Sequence, residues 1–587
     1  MLNRKVQVDE MIDVLRGMLT GKQEPGGIWR GELSSSAIST SVSVFALFMI
    51  DKERYAESIQ AGVRWLASVM KPDGSWGDTV ESKSNLTATL LTYAALFPLN
   101  LVSDATKAYL HTQFGGLSDE QLVKGVVRYY GTDLTFSVPI LAMCTLTGVI
   151  KNWKPVPRFP FELSILPQRF FRFLRLPVVS YAIPALIAVG ILRHRKEKRG
   201  VFYSLREIFV KKSLQVLEKL QPSNGGFLEA APLTGFVAIC MSGAGYKDHV
   251  VTQKAAGFLT ASIRRNGAWS IDTDLACWVT ALSVKALRKN LPEKEALLEA
   301  VKQHAFTYTH PFTGAKAGGW GWTNLPGAVP DADDTAGSLI ALHILQEGRY
   351  CAEAEKGVKW LLDMQNRDGG IPTFCKGWGR LPFDRSSPDI SAHSLMAIEL
   401  WHKVMPEKMQ QKCNKSMRRL LQWMKKTQTG EGSWIPLWFG DQDAPGEQAP
   451  VYGTAVAVEH LSISADPVAV AISAKGIRYL LAVQNDDGGW GGAKDVLSKV
   501  TFTARALSAL VTAHTIPVEA VTRGIDYLYN RFREGTLNGA EPVGLYFARL
   551  WYSEELYNIT FTLSALEHIR KHIIFEETNK TNKLHLS

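Results

Sequence analysis

The sequence predicts an all-α protein built from repeated helical hairpins, and three observations lead to this prediction. A short phrase of polar residues, glycine and an aromatic residue recurs along the chain. Apolar runs with helical spacing separate its copies, and strand-like alternation is scarce. The chain has 587 residues, which is too many for one ordinary hydrophobic core, so two large domains are expected.

The recurring phrase predicts the turns between helices. Glycine adopts the left-handed conformation that ends a helix, and Asp or Asn favours a tight turn. A glutamine precedes several copies, as Gln365 and Gln484 do, and its amide can bond backbone groups at the next helix end. We expect the aromatic residue to fill the gap between neighbouring hairpins. The copies lie at residues 25–29, 72–77, 223–227, 266–269, 366–371, 431–434 and 485–490.

Composition indicates a globular protein that meets an anionic surface. Hydrophobic residues make up 46% and charged residues 21% of the chain, and the net charge is +10. No nucleic-acid motif is present and basic residues lie beside apolar stretches, so the expected partner is a membrane surface rather than nucleic acid. The six cysteines contain no CxxC pair, which predicts buried free thiols in a reducing compartment. The charged N-terminus is not a signal peptide, and residues 9–20 are predicted to form an amphipathic helix.

Residues 155–199 are the least ordinary segment. An uncharged run at 176–192 contains Pro177 and Pro184, and basic clusters flank it at 169–175 and 193–199. Seventeen residues with two prolines are too few for a comfortable membrane span. We expect the segment to lie in the headgroup zone of a membrane, and the alternative is a buried core helix with a solvated basic loop.

Three carboxylates stand just before an apolar helical run at 339–345. Asp331, Asp333 and Asp334 therefore lie at a helix N-terminus, where aspartates commonly cap the helix. Capping does not need three of them. If the site is buried, desolvation and mutual repulsion keep at least one carboxyl protonated, and a neutral acid in a dry pocket can donate its proton.

These features together resemble the class II terpenoid cyclases, specifically the squalene–hopene cyclase group and relatives that cyclise C35 polyprenyl substrates. The resemblance rests on the repeated phrases, on the acidic motif at 331–336 and on Pro-Asp-Ile-Ser-Ala-His at 388–393. It implies two α/α barrels: a catalytic barrel at 241–575, and an inserted barrel at 21–240 that carries the membrane segment at 155–199. It also implies that helix 1–20 packs on the catalytic barrel, and residues 576–587 are expected to be a polar tail.

The same resemblance implies how the protein works. The enzyme would sit on the cytoplasmic side of the cell membrane as a monotopic protein, take a polyprenoid lipid as substrate, and use no metal and no cofactor. A homodimer is left open.

The resemblance also assigns roles to individual residues. Asp333 falls on the proton donor, Asp331 and Asp334 on its flanking partners, and His393 on the histidine that orients the donor. Asp389, four residues before His393 on the same helix face, is expected to orient that histidine. Aromatic residues expected to bind the substrate are Trp278, Trp438, Tyr452, Phe547 and Tyr557.

The chemistry explains these residue types. Protonating an isolated alkene needs a strong acid in a site with little water, and a histidine can stabilise the carboxylate that results. Each aromatic face then stabilises the carbocation by roughly 0.5–2 kcal/mol without the lone pair that would quench it. The substrate must fold inside a dry aromatic cavity.

The sequence departs from the family pattern at both expected ends of the cavity. A polar insertion at 441–450 follows Trp438, and residues 543–547 lack the usual Phe-Pro-Gly-Asp-Phe pattern. Ring count and termination by deprotonation or water capture therefore stay open. The alternatives are a non-catalytic helical-repeat scaffold and the β subunit of a zinc-dependent protein prenyltransferase, for which Asp274 and Cys277 have the wrong spacing.

Overall fold

The computed structural model describes residues 2–131, 134–166, 183–197, 200–311, 313–374, 384–513, 516–545, 547 and 549–584. Almost all regular structure in these ranges is helical, which confirms the predicted all-α class. The helices of the N-terminal half are α1 Leu2–Gly21, α2 Ala37–Asp51, α3 Ala56–Ser68, α4 Leu86–Leu96, α5 Asp104–Phe114, α6 Asp119–Tyr130, α7 Leu134–Leu146, α8 Ile183–Arg195, α9 Val201–Leu220, α10 Ala231–Gly243 and α11 Val250–Ala261.

The C-terminal half continues the same hairpin pattern. Its helices are α12 Ala276–Leu287, α13 Lys294–Gln303, α14 Ala332–Leu345, α15 Ala352–Met364, α16 Pro388–His402, α17 Glu407–Thr427, α18 Pro450–Leu461, α19 Pro467–Ala482, α20 Val500–Leu510, α21 Val518–Arg533 and α22 Tyr557–Leu584. The described strands are two short antiparallel pairs: β1 Ser35–Ser36 with β2 Trp269–Ser270, and β3 Val543–Leu545 with β4 Leu550–Tyr552.

The helices of the C-terminal half form a closed α/α barrel. Each inner helix packs on the next in the order α12, α14, α16, α18, α20 and α22, and α22 packs back on α12. The outer helices α15, α17, α19 and α21 pack on the inner ones that precede them in the chain. The N-terminal helix α1 packs on α22 and contributes Val8, Met11, Ile12, Leu15 and Leu19 to the core of this barrel.

A second ring occupies the N-terminal half. Helix α2 packs on α4 and α10, α10 packs on α8, and α7 joins α4 to α8. Its separate core takes its residues from Ala37 to Trp269, together with Val329, and so extends beyond the expected boundary at residue 240, because β2 returns to pair with β1 and brings α11 with it. We therefore propose a boundary between the barrels near residue 270.

The recurring phrase makes the same contacts in both barrels. Gln221 and Gln484 each donate from Nε2 to the glycine carbonyl of their own turn and to a carbonyl of a neighbouring outer helix. The indoles of Trp76 and Trp490 donate to the carbonyl ten residues earlier, at 2.8 Å, and both rings are buried. Gly488 has φ +87°, and an added Cβ would meet the Arg523 carbonyl oxygen at 2.4 Å.

The segment at 155–199 is only partly described, because residues 167–182 and 198–199 lie outside the described ranges. Helix α8 is mostly buried and packs on α10, as the core-helix alternative expects for that part. In the described part of the chain, no helix combines the length and the hydropathy that crossing a bilayer requires. The described cysteines are all buried free thiols, as predicted, and Cys375 lies outside the described residues.

Candidate active site

The acidic motif opens helix α14, and its first aspartate is the cap. Asp331 has an extended backbone, and its Oδ1 accepts hydrogen bonds from the N–H groups of Asp333 and Asp334, each at 2.9 Å. The chain enters this cap beside the buried Trp320, whose carbonyl oxygen accepts from the Asp331 N–H at 2.9 Å. Capping therefore accounts for Asp331 and leaves the side chains of the other two aspartates for different contacts.

His393 of helix α16 holds the Asp333 carboxyl. Its Nδ1 lies 2.7 Å from Asp333 Oδ1, across the packed pair of helices α14 and α16. The Asp333 side chain keeps 26% of its surface accessible, whereas Asp331 and Asp334 are buried. Of the three aspartates predicted from the sequence, the structure thus singles out Asp333 as the most accessible and as the one paired with a histidine.

Burial favours the protonated form of the neighbouring carboxyl groups. It raises the pKa of Asp331, although the hydrogen bonds that Asp331 accepts from backbone N–H groups oppose the rise. Burial, and then the charge on Asp331, raises the pKa of Asp334 well above its usual range. Burial and the charge on Asp333 raise the pKa of Asp389 to about 7. Four carboxyl groups therefore meet where few negative charges can be tolerated.

Asp389 does not make the contact expected of it. Within the described residues it forms no hydrogen bond to His393, and its Oδ1 accepts from the Ser387 hydroxyl instead. The i to i+4 spacing puts both groups on one helix face, but the Ser387 bond at the start of α16 holds the Asp389 side chain. The His393 ring is instead flanked by Trp278, edge-on at 6.0 Å, and by His460, stacked at 4.6 Å between ring centroids.

An apolar cavity of about 720 Å³ lies beside the acidic motif and extends between the two barrels. All three aspartates of the motif line it. Most of the remaining wall is aliphatic and aromatic, and includes Phe159, Phe161, Ile183, Leu186, Phe236, Trp322, Phe374, Phe439, Leu545 and Tyr552. The hydrocarbon-lined chamber that the sequence predicted beside the acid is therefore present.

Three of the five predicted aromatic residues line the cavity, and two do not. Trp278, Trp438 and Tyr557 line the cavity. Tyr452 does not line it, and stacks instead behind Phe439 at 4.2 Å between ring centroids. Phe547 is also absent from the wall, and packs edge-on against Trp438 at 6.1 Å. The neighbouring leucines of the β3–β4 hairpin, Leu545 and Leu550, face the cavity there.

A group of charged residues behind His393 was not predicted from the sequence. Lys285 of α12, Glu459 and His460 of α18 and Arg505 of α20 are all buried inside the C-terminal barrel, and we call them the buried ion cluster. Glu459 lies 2.8 Å from Lys285 Nζ and 3.3 Å from Arg505 Nη1. Each residue stands in an apolar helical run, where the sequence pattern indicates core and gives no sign that the four meet.

The donors of the rival zinc site have other partners. Asp274 pairs with Arg30 and accepts from the Thr323 hydroxyl at 2.6 Å, and Cys277 Sγ lies 3.4 Å from His304 Nδ1. Over the described ranges, no three His, Cys, Asp or Glu side chains are grouped as a metal site requires.

Comparison with known proteins identifies the family. Residues 276–571 match the model of the squalene-hopene cyclase C-terminal domain, and residues 12–106 match that of the N-terminal domain. Dammaradiene synthase of Dryopteris crassirhizoma is 25% identical, over 96% of this chain and 94% of its own. Squalene–hopene cyclase of Zymomonas mobilis is 23% identical, over 96% of this chain and 95% of its own.

Two further matches concern length and fold. Enfumafungin synthase of Hormonema carpetanum is 24% identical over 86% of this chain, but the chain spans only 44% of that protein. The solved structure of ent-copalyl diphosphate synthase from Streptomyces platensis has the same fold, with a TM-score of 0.54 and 17% identity over 96% of this chain and 99% of that one. The chain therefore belongs to the squalene–hopene cyclase family and is a class II terpene cyclase, an enzyme of terpenoid cyclisation.

Proposed function

We propose that this enzyme cyclises a linear polyprenoid, such as squalene or a C35 polyprene, by protonating its terminal double bond with Asp333. One observation carries the proposal. The Asp333 carboxyl is held by His393 at 2.7 Å and borders an apolar cavity of about 720 Å³. That volume lies within the range of roughly 300–1,000 Å³ that is usual for ligand cavities. The cyclase relatives of similar length support a polyprenoid as the substrate.

The acid works because its surroundings disfavour further negative charge. Asp331, Asp334 and Asp389 crowd Asp333 in a buried site, so protons are retained there. His393 engages Oδ1, which leaves Oδ2 to present a proton to the cavity. In the first step the O–H bond breaks, a C–H bond forms at the terminal alkene, and the electron pair stays on Asp333. The remaining alkenes then close the rings in turn.

The cavity wall supplies the stabilisation that the carbocation needs. Trp278, Trp438 and Tyr557 present aromatic faces or edges to a space with few nucleophilic groups. Each favourable cation–π contact is worth roughly 0.5–2 kcal/mol. We assign the substrate-binding role to these three, with Phe439 added and with Tyr452 and Phe547 placed behind the wall as supports.

We further propose that the protein is monotopic on the cytoplasmic face of the cell membrane. Phe159, Phe161 and Ile183, which flank the undescribed part of the 155–199 segment, line the cavity. A lipid substrate could thus pass from the headgroup zone into the chamber without crossing water. The test is co-sedimentation with anionic vesicles. We expect binding by the wild type and weaker binding by Arg169→Glu, Arg172→Glu and Arg175→Glu combined, and equal binding would contradict this.

The central experiment offers purified protein squalene, a C35 polyprene and geranylgeranyl diphosphate, with mass spectrometry of the products. We expect a cyclic isomer or its hydrate from at least one substrate, in EDTA as well as without it. Asp333→Asn is expected to lower turnover by at least about 10³-fold while circular dichroism stays unchanged. Full activity of Asp333→Asn would refute the assignment, and activity abolished by EDTA would favour a metal-dependent enzyme.

A further inference from the structure

The buried ion cluster lies behind His393, the partner of Asp333, because His460 stacks on the His393 ring, and it has no part in the scheme above. Its residues come from three inner helices, α12, α18 and α20, and meet inside the barrel. The side chains of Lys285, Glu459 and Arg505 keep only 9%, 3% and 6% of their surface accessible. Burying three charges costs free energy unless they pair with one another or interact with a neighbouring group. The presence of the cluster therefore needs a physical explanation.

The cluster carries one net positive charge. Burial opposes ionisation of Glu459, but the charges of Lys285 and Arg505 outweigh it and hold the pKa of Glu459 well below its usual range. Glu459 is therefore an anion between two cations. Burial lowers the pKa of Lys285, and the Glu459 charge opposes this change. An ammonium is the form of Lys285 that pairs with a carboxylate at 2.8 Å.

His460 is neutral, so the net positive charge of the cluster is carried by Lys285 and Arg505. Lys285 Nζ lies 3.3 Å from His460 Nε2, which accepts from the ammonium. Burial, and then the charge of Lys285, lowers the pKa of His460 well below its usual range, so the ring stacked on His393 is neutral.

A small chamber of about 20 Å³ joins the cluster to the acid. Asp333, Asp389 and His393 line one part of it, and Lys285, His460 and Arg505 line another. None of the four cluster residues lines the large cavity, so their charges stand behind the acid and away from the substrate. Inside a protein, a fixed charge acts with far less screening than in water.

We propose that the net positive charge of the buried ion cluster stabilises the carboxylate left on Asp333 when its proton passes to the alkene, with Lys285 and Arg505 as positioning residues. This inference rests on the proposed function of Asp333. Proton transfer leaves a negative charge on Asp333 and a positive charge on the substrate. A cation fixed behind the carboxylate favours that charge separation, whereas the same cation in the large cavity would repel the carbocation.

Other charged and titratable groups surround the acidic motif and also contribute to any pH effect. Asp331 is the N-cap of helix α14, and Asp334 lies in its first turn. The packed elements add Cys277 and Lys285 on α12, Asp389 and His393 on α16, Tyr452, Glu459 and His460 on α18, Arg505 on α20, Tyr552 on β4 and Tyr557 on α22.

The test varies the charge of the cluster in steps. Lys285→Met leaves the cluster neutral, Glu459→Gln raises it to two positive charges, and the double variant restores one through Arg505 alone. The readout is the pH dependence of kcat/KM with a polyprene hydrocarbon, which has no titratable group. Loss of cationic charge lets Asp333 keep its proton to higher pH but makes it a weaker acid.

The expected results follow the net charge. Lys285→Met moves the alkaline limb of the kcat/KM profile to higher pH by about one unit, and it lowers the plateau value of kcat/KM roughly tenfold. Glu459→Gln moves the limb down by about one unit, and the double variant lies close to the wild type. The control is Lys499→Met, which removes a half-buried lysine paired with Asp441 and Asp443 elsewhere in the barrel and leaves the limb in place.

Two outcomes would overturn the inference. The alkaline limbs could coincide in the wild type and all the cluster variants, or the limb could move as far in Lys499→Met as it does in Lys285→Met. If Lys285→Met does not fold, the order of the alkaline limbs of Glu459→Gln, the double variant and the wild type still tests the inference. The proposed function fails separately, when Asp333→Asn keeps its activity. If Asp333→Asn is inactive but the alkaline limb of the pH profile stays fixed across the cluster variants, only the proposed role of the cluster is contradicted.

Discussion

The N-terminal and C-terminal barrels share one architecture but differ in what their inner helices carry. Helices α2, α4 and α10 pack around a core with buried hydroxyls, such as the pair Ser41 and Thr92 at 2.8 Å, and have no charged residue before their last turn. The inner helices α12, α14, α16, α18 and α20 carry buried aspartates, histidines, a lysine, a glutamate and an arginine. The same turn phrase builds both rings, so the fold and the chemistry are specified by different residues.

Structural and chemical roles are also divided among the tryptophans: some belong to the turn phrase, and others line the cavity. Trp76 and Trp490, one in each barrel, belong to the phrase, are fully engaged with a backbone carbonyl and are buried. Trp278 and Trp438 lie outside the glycine turn and line the cavity. For these four tryptophans, position relative to the turn separates the two structural residues from the two that line the cavity.

The largest expected effect tests whether the phrase is equivalent in both barrels. Trp76→Ala and Trp490→Ala each remove a buried indole and its hydrogen bond, and each should cost about 3–5 kcal/mol of unfolding free energy. Denaturant unfolding followed by circular dichroism measures it. A large loss in one barrel with no loss in the other would break the equivalence, and Trp278→Ala should change products more than stability.

The next effect separates the barrels by activity. His393→Ala removes the partner of Asp333 and should lower kcat about 10²-fold with little change in fold. Ser41→Ala, on an inner helix of the N-terminal barrel, is the matched control and should leave kcat unchanged. Product formation by mass spectrometry gives the rates. Comparable losses in both variants would mean that the catalytic function is not confined to one barrel.

A smaller effect concerns the cost of keeping acids inside the C-terminal barrel. Burial raises the pKa of Asp389 from 3.8 to about 7, so the native state binds a proton that the unfolded chain releases. The native state consequently loses stability as pH rises from about 4 to above 7. The full shift corresponds to at most about 4 kcal/mol. Asp389→Asn removes this cost, and we expect a gain of about half that value at pH 8, because relaxation and water penetration reduce the penalty of a buried charge, and no gain at pH 4. An equal gain at both pH values would contradict the buried-acid explanation.

The smallest effect returns to the turns. Gln221→Leu and Gln484→Leu each delete two hydrogen bonds to backbone carbonyls, in the N-terminal and C-terminal barrels respectively. We expect a loss of about 1–2 kcal/mol in each, measured by denaturant unfolding with activity unchanged at low temperature. If only Gln484→Leu lowered activity, the turn of the C-terminal barrel would have a role beyond folding.

Much of the candidate site could be predicted because its residues are local in sequence. Asp331, Asp333 and Asp334 open one helix, and the cap follows directly from their place before an apolar run. The family was predicted from the repeated phrases, the acidic motif and the motif at 388–393 on α16, and the resemblance then assigned His393. The placement of Tyr452, Phe547 and Asp389 was less successful, because which ring reaches the cavity depends on neighbours such as Phe439, Leu545 and Ser387.

The sequence by itself determined the helical-hairpin class, the turns, the acidic motif at the start of α14 and the family. Each depends on residues a few positions apart, whose spacing fixes their geometry in a helix or turn. Only the tertiary structure decided the shape of the cavity, the buried ion cluster, and the extent of the N-terminal core on which the proposed boundary near residue 270 rests. Lys285, Glu459 and Arg505 lie on three separate helices, and no local spacing brings their charges together. Closure of the barrel does so, because it turns one face of every inner helix toward the same axis.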